Sequence, residues 1–478
     1  MNSAMRIAKE EWRQWLRSRL AVLSLAVFSA LLLFTAVLTT LDAQEARHKR
    51  AHQQEQAQES FYSQPDRHPH RMVHYGHYVF RTPPPLAVFE PGVDAVTGQS
   101  LFLEGHRQNS AMFADARAQS RTGGFGALTQ AKLYHLFLPL LIIALGHGVI
   151  VREREARTLG PLLSQGVSGT RLYCGKLLAL GLLIGLLSLP ALFSSMTAML
   201  AGESLFASLL LYAANLLYLA IWAAFTLLLS MRVRSRGVVL GVLCAAWVLT
   251  VLVIPRIGVT SASAALPTEG KILTDMRMNR DLRKHGDLHN AADPNFAKLR
   301  ASLLAQYKVD NIEALPVNFR GIVAAAGETD VTETLNTYAE KRMARERAQA
   351  AHLSGYGWVS PYLAVGGVSR NLAGTDLETH HRFLREAEAL RFDFVQGLNK
   401  VHIEQLSYID DLNRNNGEEG SKRARVDSAN WQVLSDFRFT PDPAVERMSR
   451  ATTKIISLVV WFLSLMGFGL IAARRLTP

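Results

Sequence analysis

Apolar and polar positions segregate into whole blocks along this chain rather than alternating within short elements. Six apolar runs, Leu20–Leu41, Leu133–Val151, Leu177–Leu200, Leu205–Met231, Val238–Ile257 and Ile455–Ala473, stand out. Each is long enough to cross about 30 Å of hydrocarbon, which takes roughly 20 helical residues. Two long polar inserts, 42–132 and 260–450, and short polar turns at 152–176, 201–204 and 231–237 separate them. The pattern predicts a mainly α, polytopic membrane protein with six transmembrane helices and a helix-rich domain built from the two inserts. The first run follows a basic segment, as a signal peptide would. It is longer than a signal core and no small-x-small cleavage pattern follows, so it reads as a retained anchor.

Within the inserts, QEARHKRAHQQEQAQES is polar and free of breakers, which predicts that the first span continues outward as a helix. Pro65–Gly105, with Pro83-Pro84-Pro85 and Pro91-Gly92, predicts irregular packed structure. Lys271–Asn290, Phe296–Ile312, Val331–His352 and Asp376–Ile409 carry apolar residues three or four apart and predict helices. Asn413–Arg425 is polar and turn-rich and predicts a mobile loop.

The formal charge of +12 would suggest nucleic acid in a soluble protein, but its location removes that reading. Fifteen Lys and Arg residues, from Arg6 through Arg152, Lys176 and Arg236 to Arg475, flank the spans on one side. Only Glu10, Glu11, Glu153 and Glu155 oppose them there. This bias predicts cytoplasmic termini, a cytoplasmic Arg152–Lys176 segment and exported inserts. The expected divisions are 1–41 (N-terminal cytoplasmic helix and first span), 42–132 (first insert), 133–259 (four spans with segment 152–176), 260–450 (second insert) and 451–478 (last span and tail).

Spans three to six hold no Asp, Glu, Lys or Arg in their interiors, and span two holds only His135 and His147. Ion-coupled transport needs intramembrane ionisable groups, so work done by this protein must be driven from outside the membrane. His135 and His147 read as interfacial or helix-packing residues. Cys174 and Cys244 lie at a helix start and inside a span, where they read as filler. No phosphate loop, nucleophile elbow or HExxH signature occurs, so no catalytic residue is assigned. The Gly-rich Arg121–Gly126 reads as a flexible entry to the second span.

Glu153-Arg154-Glu155, Thr158-Leu159, Leu162-Leu163-Ser164, Gly166 and Gly175-Lys176 together resemble the cytoplasmic coupling segment of ABC-2-type ABC transporter permeases. His74–Asp94, Ser100–Asn109 and Ser360–Phe383 resemble recurrent blocks of the subclass with large extracytoplasmic inserts. The family pattern usually has Gly before the Thr-Leu pair, where this chain has Arg157. The resemblance implies a non-catalytic permease in a Gram-negative-type inner membrane. Its partners would be cytoplasmic ABC ATPases, which bind the ATP and Mg, and a second permease copy or a similar permease. It makes Glu153, Glu155, Thr158, Leu159, Leu162, Leu163 and Ser164 the ATPase-coupling residues. The two glutamates suit a helix start and could pair with basic partner residues; the three leucines could fill a groove. The cargo stays open, and export or extraction fits the family better than import. The rival reading is a mechanotransmission protein that moves a periplasmic partner and transports nothing.

Thirteen of the fifteen histidines lie in the inserts. His68, His70, His74 and His77 would be the ligands of a metal site, but no Cys or Met cluster accompanies them and Pro69 and Gly76 interrupt them. No metal is assigned; His74 and His106, within the family-like blocks, read as packing or hydrogen-bonding residues.

Overall fold

A computed structural model describes residues 3–112, 128–287 and 290–477. The Arg121–Gly126 entry and His289 lie outside the described residues. Among the described residues, six helices are long and apolar enough to cross a membrane: Arg19–Tyr62, Gln130–Glu155, Gly169–Leu187, Leu205–Arg232, Arg236–Ala265 and Ala444–Arg474. The fold is mainly helical. In chain order, α1 (Ser3–Arg17) precedes α2 (Arg19–Tyr62), followed by α3 (Pro69–Tyr75) and the strands β1 (His77–Phe80) and β2 (Ser100–Leu103). The second span contains α4 (Leu138–Gly146) and ends in α5 (Val151–Glu155); α6 (Leu159–Ser164) follows. Then come α7 (Gly169–Leu187), α8 (Leu189–Leu200), α9 (Leu205–Arg232), α10 (Arg236–Trp247) and α11 (Ile254–Ala265). The second insert supplies α12 (Phe319–Gly355), α13 (Pro361–Ala373) and α14 (Leu377–Gln405), and α15 (Ala444–Arg474) is the last span.

The apolar run Leu177–Leu200 is two helices, not one. Pro190 has no N–H to continue the ladder, so α7 stops at Leu187 and the 12-residue α8 restarts beyond Ser188. By contrast α2 is continuous over 44 residues, about 66 Å at 1.5 Å per residue, roughly twice the hydrocarbon thickness. Its apolar half lies with the bundle; its polar half stands beyond it, as the breaker-free sequence predicts.

That polar half joins both inserts into one core. Phe61, Met72, Val79, Leu101 and Leu103 from the first insert pack with Phe383, Phe394, Leu398, Trp431 and Phe439 from the second. The irregular first insert contains a small antiparallel pair, with His77 opposite Leu103. Buried Arg81 reaches Asp94 (2.7 Å) and the Gly374 carbonyl (3.0 Å), tying this insert to the end of α13. Helix α12 starts earlier than its apolar spacing suggests, because the Asn318 side chain accepts from the Arg320 and Gly321 amides. Gly417–Arg423 forms a short helix within the stretch expected to be a mobile loop.

Helix α13 is another element that sequence reading missed. It contains a Gly366-Gly367 pair, and a Cβ on Gly367 would sit 2.4 Å from Lys454 Cδ. Glycine therefore lets α13 pack closely on α15. Ala364, Val365, Val368 and Leu372 bury among the spans. The preceding turn is held by Gly357 O with Ser457 (2.8 Å) and Trp358 O with Trp461 (2.9 Å). The second insert thus drives a helical hairpin, α12 in and α13 out, into one end of the bundle. Among the described residues, the two π-helical turns of the spans meet this wedge. Ser360 Oγ donates to the Thr250 carbonyl within Val248–Val253 (2.6 Å). His135, within Leu133–Phe137, bonds Asn215 (2.8 Å) and lies 3.5 Å from Ser369. Widened turns free backbone groups for such contacts.

Asp411 is a buried hub of the insert core. His68 Nε2 (3.0 Å), His402 Nε2 (2.8 Å) and Arg414 (2.6 Å) surround its carboxylate. Burial alone would raise its pKa, but the hydrogen bonds from His402 and His68 hold it below the usual range. Burial pushes His77 and His380 down to about 4. A His whose folded pKa is depressed binds fewer protons than in the unfolded chain between the two values. Stability is then full above the unfolded value of 6.5 and lost as pH falls toward about 4, by up to about 1.4 kcal/mol per pH unit for each group. The tryptophan-detected melting midpoint of the detergent-solubilised chain should therefore fall steadily between pH 7 and pH 5. A flat midpoint over that range would contradict the burial of these rings.

Candidate coupling interface

At the basic end of the bundle, α1 lies along α7. Gly175 makes this possible, since a Cβ there would approach Ile7 Cβ to 2.6 Å. Trp12 Nε1 donates to the Ala179 carbonyl (3.2 Å), and Ala8, Glu11 and Trp15 are buried on the inner face. Glu11 is fully buried. Its carboxylate lies 2.6 Å from Lys176 Nζ and 3.1 Å from Arg152 Nη2. Sequence reading did not select Glu11; its place beside Glu10 in a basic N-terminal segment was its only signal.

Helix α5 is short, and each of its four charges goes to a different place. Arg152 reaches Glu11 on α1. Glu153 accepts from Thr158 Oγ1 (2.5 Å) and lies 3.6 Å from Lys176 on α7. Arg154 donates to the Met231 (3.0 Å) and Val233 (3.2 Å) carbonyls, closing the C-terminal end of α9. Glu155 accepts from the Arg236 amide (2.8 Å) and pairs with its guanidinium at the start of α10. Both glutamates are therefore engaged within the chain.

Helix α5 ends in a Schellman turn. The Thr158 amide donates to Glu153 O (2.9 Å) and the Arg157 amide to Arg154 O (3.1 Å). Arg157 occupies the left-handed position at φ 59°. Glycine suits that position best, so Arg157 holds a backbone conformation that costs a residue with a side chain. Helix α6 closes in the same way, with Gly166 at φ 84° and the Val167 amide donating to Leu162 O (3.4 Å). Arg157→Gly should remove about 1 kcal/mol of strain and raise the melting midpoint slightly. A lower midpoint would show that the Arg157 side chain holds the turn.

On α6, Leu159 is buried and anchors the helix. Leu162 and Leu163 are half-buried, while Thr158, Pro161, Ser164 and Gln165 are exposed. The outward face is therefore Pro161, Ser164 and Gln165, edged by Leu162 and Leu163. Beyond it, Ser168 caps α7 by accepting from the Arg171 amide (3.3 Å), and Gly169 lets α7 approach the Ala473 carbonyl of α15. A push on α6 meets a segment bonded to α1, α7, α9 and α10.

The four histidines named as metal candidates separate. His68 joins Asp411, and His77 lies 3.2 Å from the Gln54 side chain. His70 and His74 come together, Nε2 to Nε2 at 3.2 Å, beside His106.

Residues 272–440 match a domain of unknown function, DUF3526. No curated protein matches the chain. Residues 5–294, more than half of the chain and including α1, α5, α6 and the first five spans, match the family described as ABC-2 family transporter protein. The chain belongs to the ABC-2 family of membrane permeases, and carries the DUF3526 domain as a large addition to it.

Proposed function

We propose that this protein is the membrane subunit of an ABC transporter in the inner membrane, with ATP hydrolysed by separate cytoplasmic subunits. The observation that carries this reading is the distribution of the α5 charges over four elements. A partner that moves α6 would shift α1, α7, α9 and α10 together, which is what coupling to an external motor requires. The ATPase cleft receives the outer face of α6, with Ser164, Leu162 and Leu163 in contact. Thr158, Glu153 and Glu155 transmit, and Leu159 anchors. The positive-inside bias supports cytoplasmic termini and a periplasmic insert domain formed by 42–132 and 260–450. Two permeases, identical or similar, pair with two ATPases, and the work is export or extraction of a substrate. A photo-reactive amino acid at Ser164 should cross-link to the co-expressed ATPase, while one at Asn430 should not. Labelling from Asn430 alone would invert the orientation.

One observation favours the second reading, in which ATP-driven motion moves a periplasmic partner and nothing crosses. The α12–α13 wedge packs the insert domain against both π turns and α15, so span movements would pass directly into that domain. Substrate accumulation in inverted vesicles separates the two readings.

A further inference from the structure

His70 and His74 lie four residues apart on α3 and so share one face of that helix. A third imidazole arrives from the turn that follows β2. The Gly105 amide donates to Val73 O (3.1 Å), and only glycine fits there, since a Cβ would meet Val73 Cγ1 at 2.1 Å. That contact pins the turn after β2 onto α3 and delivers His106, held in the left-handed conformation at φ 62°. One ring nitrogen from each of the three histidines lies within 4.8 Å of the others.

Two features distinguish this cluster from a chance meeting of rings. The His70 and His74 Nε2 atoms are 3.2 Å apart. Two nitrogens bound at about 2.0–2.1 Å to one tetrahedral ion are separated by about 3.3 Å. Glu328 Oε2 lies 2.7 Å from His106 Nδ1 and accepts from the His106 amide (3.1 Å). A carboxylate on the far ring nitrogen is the arrangement that orients histidine ligands toward a metal. Glu328 is itself fixed by buried Arg391 at 2.5 Å. The other candidate group, His68, His402 and Asp411, is different. Its carboxylate already takes Arg414 (2.6 Å) and Asn318 (3.3 Å), whose donors fill the place of a cation.

We propose that His70, His74 and His106 form an exchangeable site for a divalent transition-metal ion of the zinc class, with Glu328 orienting His106. All-imidazole donors select Zn2+, Ni2+ or Cu2+ over Mg2+ and Ca2+. Three protein ligands leave a fourth position open, and the exposure of His74 gives the ion a way in and out. The site uses none of the residues at the coupling interface, so failure of one reading leaves the other standing.

The test uses the full chain, purified in detergent without a polyhistidine tag and titrated with Zn2+ against a fluorescent chelator. One equivalent should bind. His74→Ala, at an exposed position, and His70→Ala should each weaken binding about tenfold or more, while His48→Ala and His52→Ala, in the same insert, leave it unchanged. Co2+ in place of Zn2+ should give the visible absorption of a tetrahedral site, lost in His74→Ala. Absence of Zn2+ uptake by the parent chain would overturn the proposal. So would parent affinity in the folded His70→Ala/His74→Ala chain.

Discussion

Glu11→Ala should be the most destabilising single change at the basic end, at about 3–5 kcal/mol. The carboxylate is fully buried, and Lys176 beside it is almost as deep. Removing the acid leaves the ammonium with Glu153 at 3.6 Å as its remaining carboxylate. Arg152 is less affected, since it is partly exposed and can turn toward water. The decisive comparison is Glu11→Leu with Lys176→Met. Replacing both members of a buried pair by apolar side chains is often close to neutral, so the double variant should regain most of the lost stability. Melting midpoints of the parent, Glu11→Leu, Lys176→Met and the double variant in one detergent give the cycle. A midpoint for Glu11→Ala equal to that of the parent would mean that α1 is not held by this pair.

The largest functional effect is expected at α6. Leu162→Glu puts a charge at the edge of the small outward face, where a groove must be apolar to receive it. Forcing an unpaired charge into a contact that binding desolvates typically removes about 2 kcal/mol, or roughly thirtyfold in affinity. Leu162 is half-buried rather than part of the core, so the permease should fold normally while its ATPase dissociates. Leu159→Glu should behave differently. That side chain is buried, so the change should lower the melting midpoint as well as docking. The pair of variants separates a docking surface from an anchor.

Much of this architecture was legible in the hydrophobic pattern, because membrane length is a strong constraint on sequence. Span positions, the continuation of α2 beyond its apolar half and the family all follow from runs, charges and short motifs. The break at Pro190 was written in the sequence and was masked by the continuous apolar run around it. Helix α13 was illegible for a different reason. Gly367 packs against the Lys454 stem, a contact that no local signal announces. Glu153 and Glu155 were not legible as internal ties, since their partners Lys176 and Arg236 lie in other polar segments at the basic end of the bundle. His106 was likewise separated from His70 and His74 by more than thirty positions, and spacing alone cannot close that distance.

The most direct test of the central claim is ATP hydrolysis by the co-purified ATPase in lipid nanodiscs. It should be measured with the parent permease, with Leu162→Glu, and with Trp358→Ala at the wedge turn as a distant control. Stimulation should be present with the parent and the control, and fall to the rate of the ATPase alone with Leu162→Glu while that permease stays folded. Full stimulation by folded Leu162→Glu would contradict the assignment of α6 as the surface through which ATP acts on this protein.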